Sequence, residues 1–102
     1  MKKYHYTVVL DTELGKRNGS MQLSVDGTEI EGFLSLLNRT EPCYGNIEND
    51  GHCNLHGKIV TLIKEIVYEA TGYIRDNEII LTLKSEKNTF HMKGIALSQT
   101  GK

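Results

Sequence analysis

The chain reads as an all-β protein: a single antiparallel up-and-down meander of about eight strands closing into a small barrel. Two observations predict this. Val, Ile and Thr make up 23 of the 102 residues, while Ala occurs only at Ala70 and Ala96; branching at Cβ suits a pleated strand and costs rotamer freedom in a helix. Apolar residues also alternate with polar ones along segment after segment, the period of a strand with one buried face. An open two-sheet sandwich is the alternative arrangement of the same strands.

The elements follow in order. Tyr4, Tyr6, Val8 and Leu10 share one face of a first strand, and Met21, Leu23 and Val25 share one face of a second. Asp26-Gly27 marks a two-residue hairpin of type I′, which pairs Val25 with Thr28 and Leu23 with Ile30. Asn49-Asp50-Gly51 fits a three-residue hairpin loop with Gly in the left-handed position, aligning Cys43, Gly45 and Ile47 with the face of Cys53, Leu55, Gly57 and Ile59. A turn at Lys64-Glu65 pairs Ile59 with Ala70; one at Asp76-Asn77 pairs Ile74 with Ile79; one at Glu86-Lys87 pairs Leu81 with Met92. Each hairpin keeps the apolar residues on one face, so the registers agree with one another. The resulting strands cover residues 3–11, 20–26, 28–37, 43–49, 52–63, 66–75, 78–85 and 88–97. One stretch competes: Ile59, Leu62, Ile63, Ile66, Val67 and Ala70 also fall at helical spacing. Their β-branched content favours strand, with no helix longer than two turns expected anywhere.

Length and charge bound the rest. One domain with one core spans 1–102, with a flexible tail at 98–102. Twelve Lys and Arg against 13 Asp and Glu give a net charge of −1, too little to draw nucleic acid or anionic lipid. Apolar runs fall far short of the ~20 residues of a membrane helix. The opening Met1-Lys2-Lys3-Tyr4-His5-Tyr6 lacks the apolar stretch of a signal peptide, so a cytoplasmic location is expected.

Glycines recur before apolar strand residues, in Gly32-Phe33-Leu34, Gly45-Asn46-Ile47, Gly57-Lys58-Ile59 and Gly72-Tyr73-Ile74, with Gly94 similar. Gly inside a strand marks a sharp bend or a close backbone approach, which a tightly coiled barrel needs. Together with the meander, these units resemble the small bacterial single-domain barrels of lipocalin-like (calycin-like) shape. That resemblance implies a binding barrel more readily than an enzyme.

Candidate chemistry is sparse. His52 and His56 have a metal-binding spacing for a helix, but on a strand residues four apart lie ~13 Å apart. His5 and His91 approach one another if the first and last strands pair. Cys43 falls opposite Gly57, about four residues along the strand from Cys53, too far for a disulfide. Both thiols then act as small buried hydrophobes. Glu29, Glu31, Glu65 and Glu69 occupy outer faces without forming an acid–base pair, and Lys16-Arg17-Asn18 reads as a short basic turn. No catalytic residue, metal site or cofactor is expected.

Two readings of function stand. Tyr4, Tyr6 and Tyr68 point inward near Cys43, Cys53 and Met92, where phenols orient a small apolar or amphipathic ligand in the barrel interior. Alternatively these side chains simply fill the core, and the barrel is a protein-interaction module or a homodimeric structural domain. Val9 and Phe33 point outward, as do Val60, Leu62, Val67, Tyr73, Ile80, Ile95 and Leu97, and these last seven form one apolar patch for a two-fold homodimer unless residues 38–42 or the tail cover them.

Overall fold

The computed structural model describes residues 2–12, 15–36, 38–61 and 63–97. Leu62 and the tail at 98–102 lie outside the described residues. Eight strands run in chain order: β1 (Lys2–Thr12), β2 (Gly15–Asp26), β3 (Glu29–Leu36), β4 (Arg39–Ile47), β5 (His52–Val60), β6 (Glu65–Ile74), β7 (Glu78–Lys84) and β8 (Thr89–Ala96). Each pairs antiparallel with the next, and β1 pairs with β8 to close the barrel. Closure leaves no strand edge open. The radius of gyration is 13.0 Å, and the barrel is flattened, with extents of 38 × 27 × 18 Å.

The inward face is the one that alternation assigns. Tyr6, Val8, Met21, Leu23, Leu55, Ile79, Leu81 and Met92 are at most 2% exposed. Tyr4, Val25, Ile47 and Phe90 pack around that core at the rims. Each aliphatic side chain of this kind contributes about 1.5–3 kcal/mol on burial.

Three registers agree in full with the sequence reading: Cys43 opposite Gly57, Ile74 opposite Ile79, and Leu81 opposite Met92. The first of these rests on Gly51 at φ +94°, which returns the chain through the Asn49-Asp50-Gly51 loop. Two registers differ by an even number of residues, which preserves the faces. In the β2–β3 hairpin Val25 lies opposite Ile30, not Thr28. Gly27 takes the first central position of the turn with φ +64° and is the only one of the two central residues at positive φ, as in a type II′ turn rather than type I′. In the β5–β6 hairpin Ile59 lies opposite Ile66, not Ala70. Here the Thr61 hydroxyl accepts from the Ile63 and Lys64 amides at 3.3 and 3.1 Å, and the Thr61 amide donates to the Lys64 carbonyl at 2.8 Å. The turn therefore closes over 61–64, and the helical spacing of 59–70 is split between two strands.

Strand limits differ in several places: β5 ends at Val60 and β4 at Ile47, short of the expected Ile63 and Asn49, and two strands begin early. β2 begins at Gly15, so Lys16, Arg17 and Asn18 are strand residues paired with Asp11, Leu10 and Val9. β4 begins at Arg39, after Asn38 at φ +65°, so residues 39–42 belong to the sheet rather than to a loop that covers the surface. Pro42 precedes the first β4–β5 pair and has a β-neighbour only on the β3 side, a position that tolerates a missing N–H. Closure sets His91 opposite Asp11, while the Leu97 amide donates to the His5 carbonyl; His5 and His91 are thus about 20 Å apart along the strands.

Gly32 and Gly45 show what the strand glycines do. A Cβ on Gly32 would sit 1.9 Å from the Gln22 carbonyl oxygen, and one on Gly45 would sit 1.8 Å from that of Asn54. The strands coil so tightly there that the neighbouring backbone occupies the side-chain position.

Candidate functional site

Cross-strand pairing places five of the six interior candidates in two rows around the barrel, while Tyr6 lies between Met21 and Ala96. One inward row runs Tyr68–Gly57–Cys43–Gly32–Leu23–Tyr4 over six consecutive strands. Gly57 leaves room for a ring: the Tyr68 hydroxyl lies 2.9 Å from where a Gly57 Cβ would stand. Another row runs Cys53–Gly72–Leu81–Met92–Leu10. The six candidates therefore do not converge on one point. They form local pairs: Tyr4 stacks on Tyr6 at 5.8 Å, Tyr6 lies near Cys53, and Tyr68 lies near Cys43.

Their chemistry is that of a dry core. Tyr6 is fully buried, and its hydroxyl donates to the Arg75 carbonyl. Tyr68 is 2% exposed, and its hydroxyl has no hydrogen-bond partner among the described residues. Burial raises both phenols above their ordinary range, with Tyr4 and Asp76 adding to the effect at Tyr6 and Cys43 adding to it at Tyr68. Cys43 and Cys53 are free, buried, and pushed up to about 11 by loss of hydration. Such thiols stay protonated at neutral pH and are poor nucleophiles.

A roomy depression lies elsewhere. It is a cleft of about 1140 Å³ spread over β8, β1, β2, β3 and β4, lined mainly by residues whose side chains face away from the core. Tyr4 and Cys43 border it; Tyr6, Tyr68, Cys53 and Met92 do not. Phe33 and Tyr44 are each 52% exposed at one side and Ile95 is 71% exposed at the other, with His5 and Gln22 between them. Lys2, Lys3, Glu31 and Asp76 add two charges of each sign, of which Lys2 and Asp76 pair with one another at 2.6 Å. A second depression beside Leu36 and Ile59 has no room for a water molecule.

The outward apolar residues separate into groups. Tyr73 and Ile80 face each other across β6 and β7, with the His52 ring 4.2 Å from Tyr73 and the Arg75 guanidinium 5.2 Å from its centre. Val67 lies opposite Lys58 at the far end of β6, with Glu69 and Thr71 intervening on the outer face. Val60 is half-buried opposite Glu65, beside the exposed tip residue Ile63. Ile95 and Leu97 line the cleft. The cleft joins them to Phe33, Pro42 and Tyr44, a grouping that depends on the β1–β8 closure and on the strand character of 39–42. Strict alternation beside Cys43 already puts Tyr44 outside; the closure register has no local signal.

Glu48, Asp50 and His52 bring three potential ligand atoms within 4.8 Å of one another, all exposed, at the β4–β5 turn. Asp50 already closes that turn, accepting from the His52 amide at 3.0 Å and lying 3.3 Å from its ring, and these contacts hold its carboxyl below the usual range. No protein family, characterised protein or solved structure matches the chain.

Proposed function

We propose that this chain is a non-enzymatic interaction barrel that binds a protein on its outer face. The observation that carries this reading is the position of the cleft: a depression of about 1140 Å³ lies outside the sheet, with Phe33, Tyr44 and Ile95 at least half exposed in it. Exposed aromatic and aliphatic side chains grouped in this way are enriched at protein contact surfaces. The thiols, protonated and without a neighbouring base, supply no nucleophile. A photoreactive phenylalanine analogue at Phe33 tests the reading in cells. It yields a discrete protein adduct that excess unmodified protein suppresses, whereas the same analogue at Thr71, exposed on β6, yields none. Equal labelling at both positions, or none at Phe33, overturns it.

A second reading keeps a small ligand inside, as in lipocalin-like barrels. Tyr68 favours it, because an unpartnered buried hydroxyl is available to a polar atom of a guest. Native mass spectrometry of gently purified protein decides: a retained small molecule supports interior binding, and a bare chain counts against it.

A further inference from the structure

We infer that the occupant of the outer cleft is a second copy of this chain, in a two-fold dimer whose axis runs along β2. This rests on the outer-face reading above and names its partner. A twisted antiparallel sheet is a saddle, concave along one diagonal and convex along the other. Turned over about an axis lying along a strand, a saddle coincides with itself. The outer face of β8–β1–β2–β3–β4 is centred on β2, so an axis along β2 lays β1 over the partner's β3 and β8 over the partner's β4, with the strands of the two faces nearly aligned.

Charge selects which strand carries the axis. Lys3, Ser24 and Glu31 lie side by side on β1, β2 and β3, and His5, Gln22 and Phe33 form the next outward row. Neighbouring strands are ~4.8 Å apart, so Lys3 and Glu31 flank β2 symmetrically. Both are exposed, and neither forms an ion pair among the described residues. An axis along β1 sets Lys3 against Lys3, and one along β3 sets Glu31 against Glu31. An axis along β2 sets each Lys3 against the partner's Glu31, twice, and each His5 against the partner's Phe33. On the axis, Gln22 and Ser24 meet their own copies, and an amide and a hydroxyl each both donate and accept. The interface is isologous and neutral.

Sedimentation equilibrium of the full chain between about 1 and 100 µM tests this. The wild type forms dimers. Lys3→Glu or Glu31→Lys alone replaces two attractive pairs by two repulsive ones and weakens association about tenfold or more, and the double swap restores it to within about threefold. Circular dichroism verifies that each variant folds. A chain that stays monomeric throughout, or a double swap no tighter than either single variant, overturns the dimer. If Phe33 still captures another protein in that case, the outer-face reading stands and only the identity of its occupant falls. If Phe33 captures nothing, both fall.

Discussion

Two buried tyrosines in one core make opposite contributions. Tyr6 donates to the Arg75 carbonyl, whereas the Tyr68 hydroxyl, over Gly57, has no partner among the described residues. An unpaired buried hydroxyl costs about 1–3 kcal/mol, and a satisfied one contributes about 1 kcal/mol. Tyr68→Phe is therefore expected to raise stability by about 1 kcal/mol and Tyr6→Phe to lower it by a similar amount. Urea midpoints at unchanged slope measure both. The thiols set a pH limit of the same origin. Cys43 ionises near 9 when unfolded and near 11 in the core, so its contribution is complete below pH 9 and is lost as pH rises toward 11. At pH 10 the loss is about 1.4 kcal/mol from this group alone. Cys43→Ala is expected to flatten the fall in urea midpoint between pH 8 and 10, though the variant is less stable at pH 7. An unchanged slope would show that the thiol is hydrated in the folded chain.

At the scale of the strand, glycine positions differ in what they tolerate. Gly45→Ala drives a methyl group to 1.8 Å from the Asn54 carbonyl oxygen, so the β4–β5 ladder has to part; we expect a loss of about 3 kcal/mol or more. Gly27→Ala meets no atom within 4 Å and suffers only the left-handed backbone penalty of about 1–2 kcal/mol. Thermal melts of the two variants separate steric from conformational cost. Much of this architecture was legible in the sequence because side-chain parity survives errors of even length. The reading displaced the β2–β3 and β5–β6 registers, yet Leu23, Ile30, Ile59 and Ala70 all point inward as alternation requires. What parity cannot tell is which residues close a turn. Gly27 serves a type I′ or a type II′ turn equally from its neighbours alone, and Thr61 acts through its hydroxyl rather than through backbone preference. Asn38 at φ +65° turns the chain into β4, a conformation that strand alternation does not report, and Pro42 is tolerated because it has a β-neighbour on one side only.

For the molecule as a whole, closure decides which outward side chains share the cleft. Pairing of β1 with β8 brings Ile95 and Leu97 beside His5, and thus into one cleft with Phe33 and Tyr44. On β6, Glu69 and Thr71 lie between Val67 and Tyr73 on the outer face, so these two do not share one apolar patch. The candidate site was therefore only half legible: Phe33, Ile95 and Leu97 were identified as outward, but their assembly is a long-range property of the closed barrel. Inside, the buried Tyr68 and Cys43 of one row and Cys53 and Met92 of the other are expected to fill the small interior of an eight-stranded barrel. Xenon enters dry apolar cavities and shifts the methyl resonances that line them, which makes it a direct probe of that interior. Methyl spectra under increasing xenon pressure are expected to show no saturable shift at Leu23, Ile59, Leu81 or Met92; saturating shifts clustered at these core methyls would contradict a filled barrel and return the binding site to its interior.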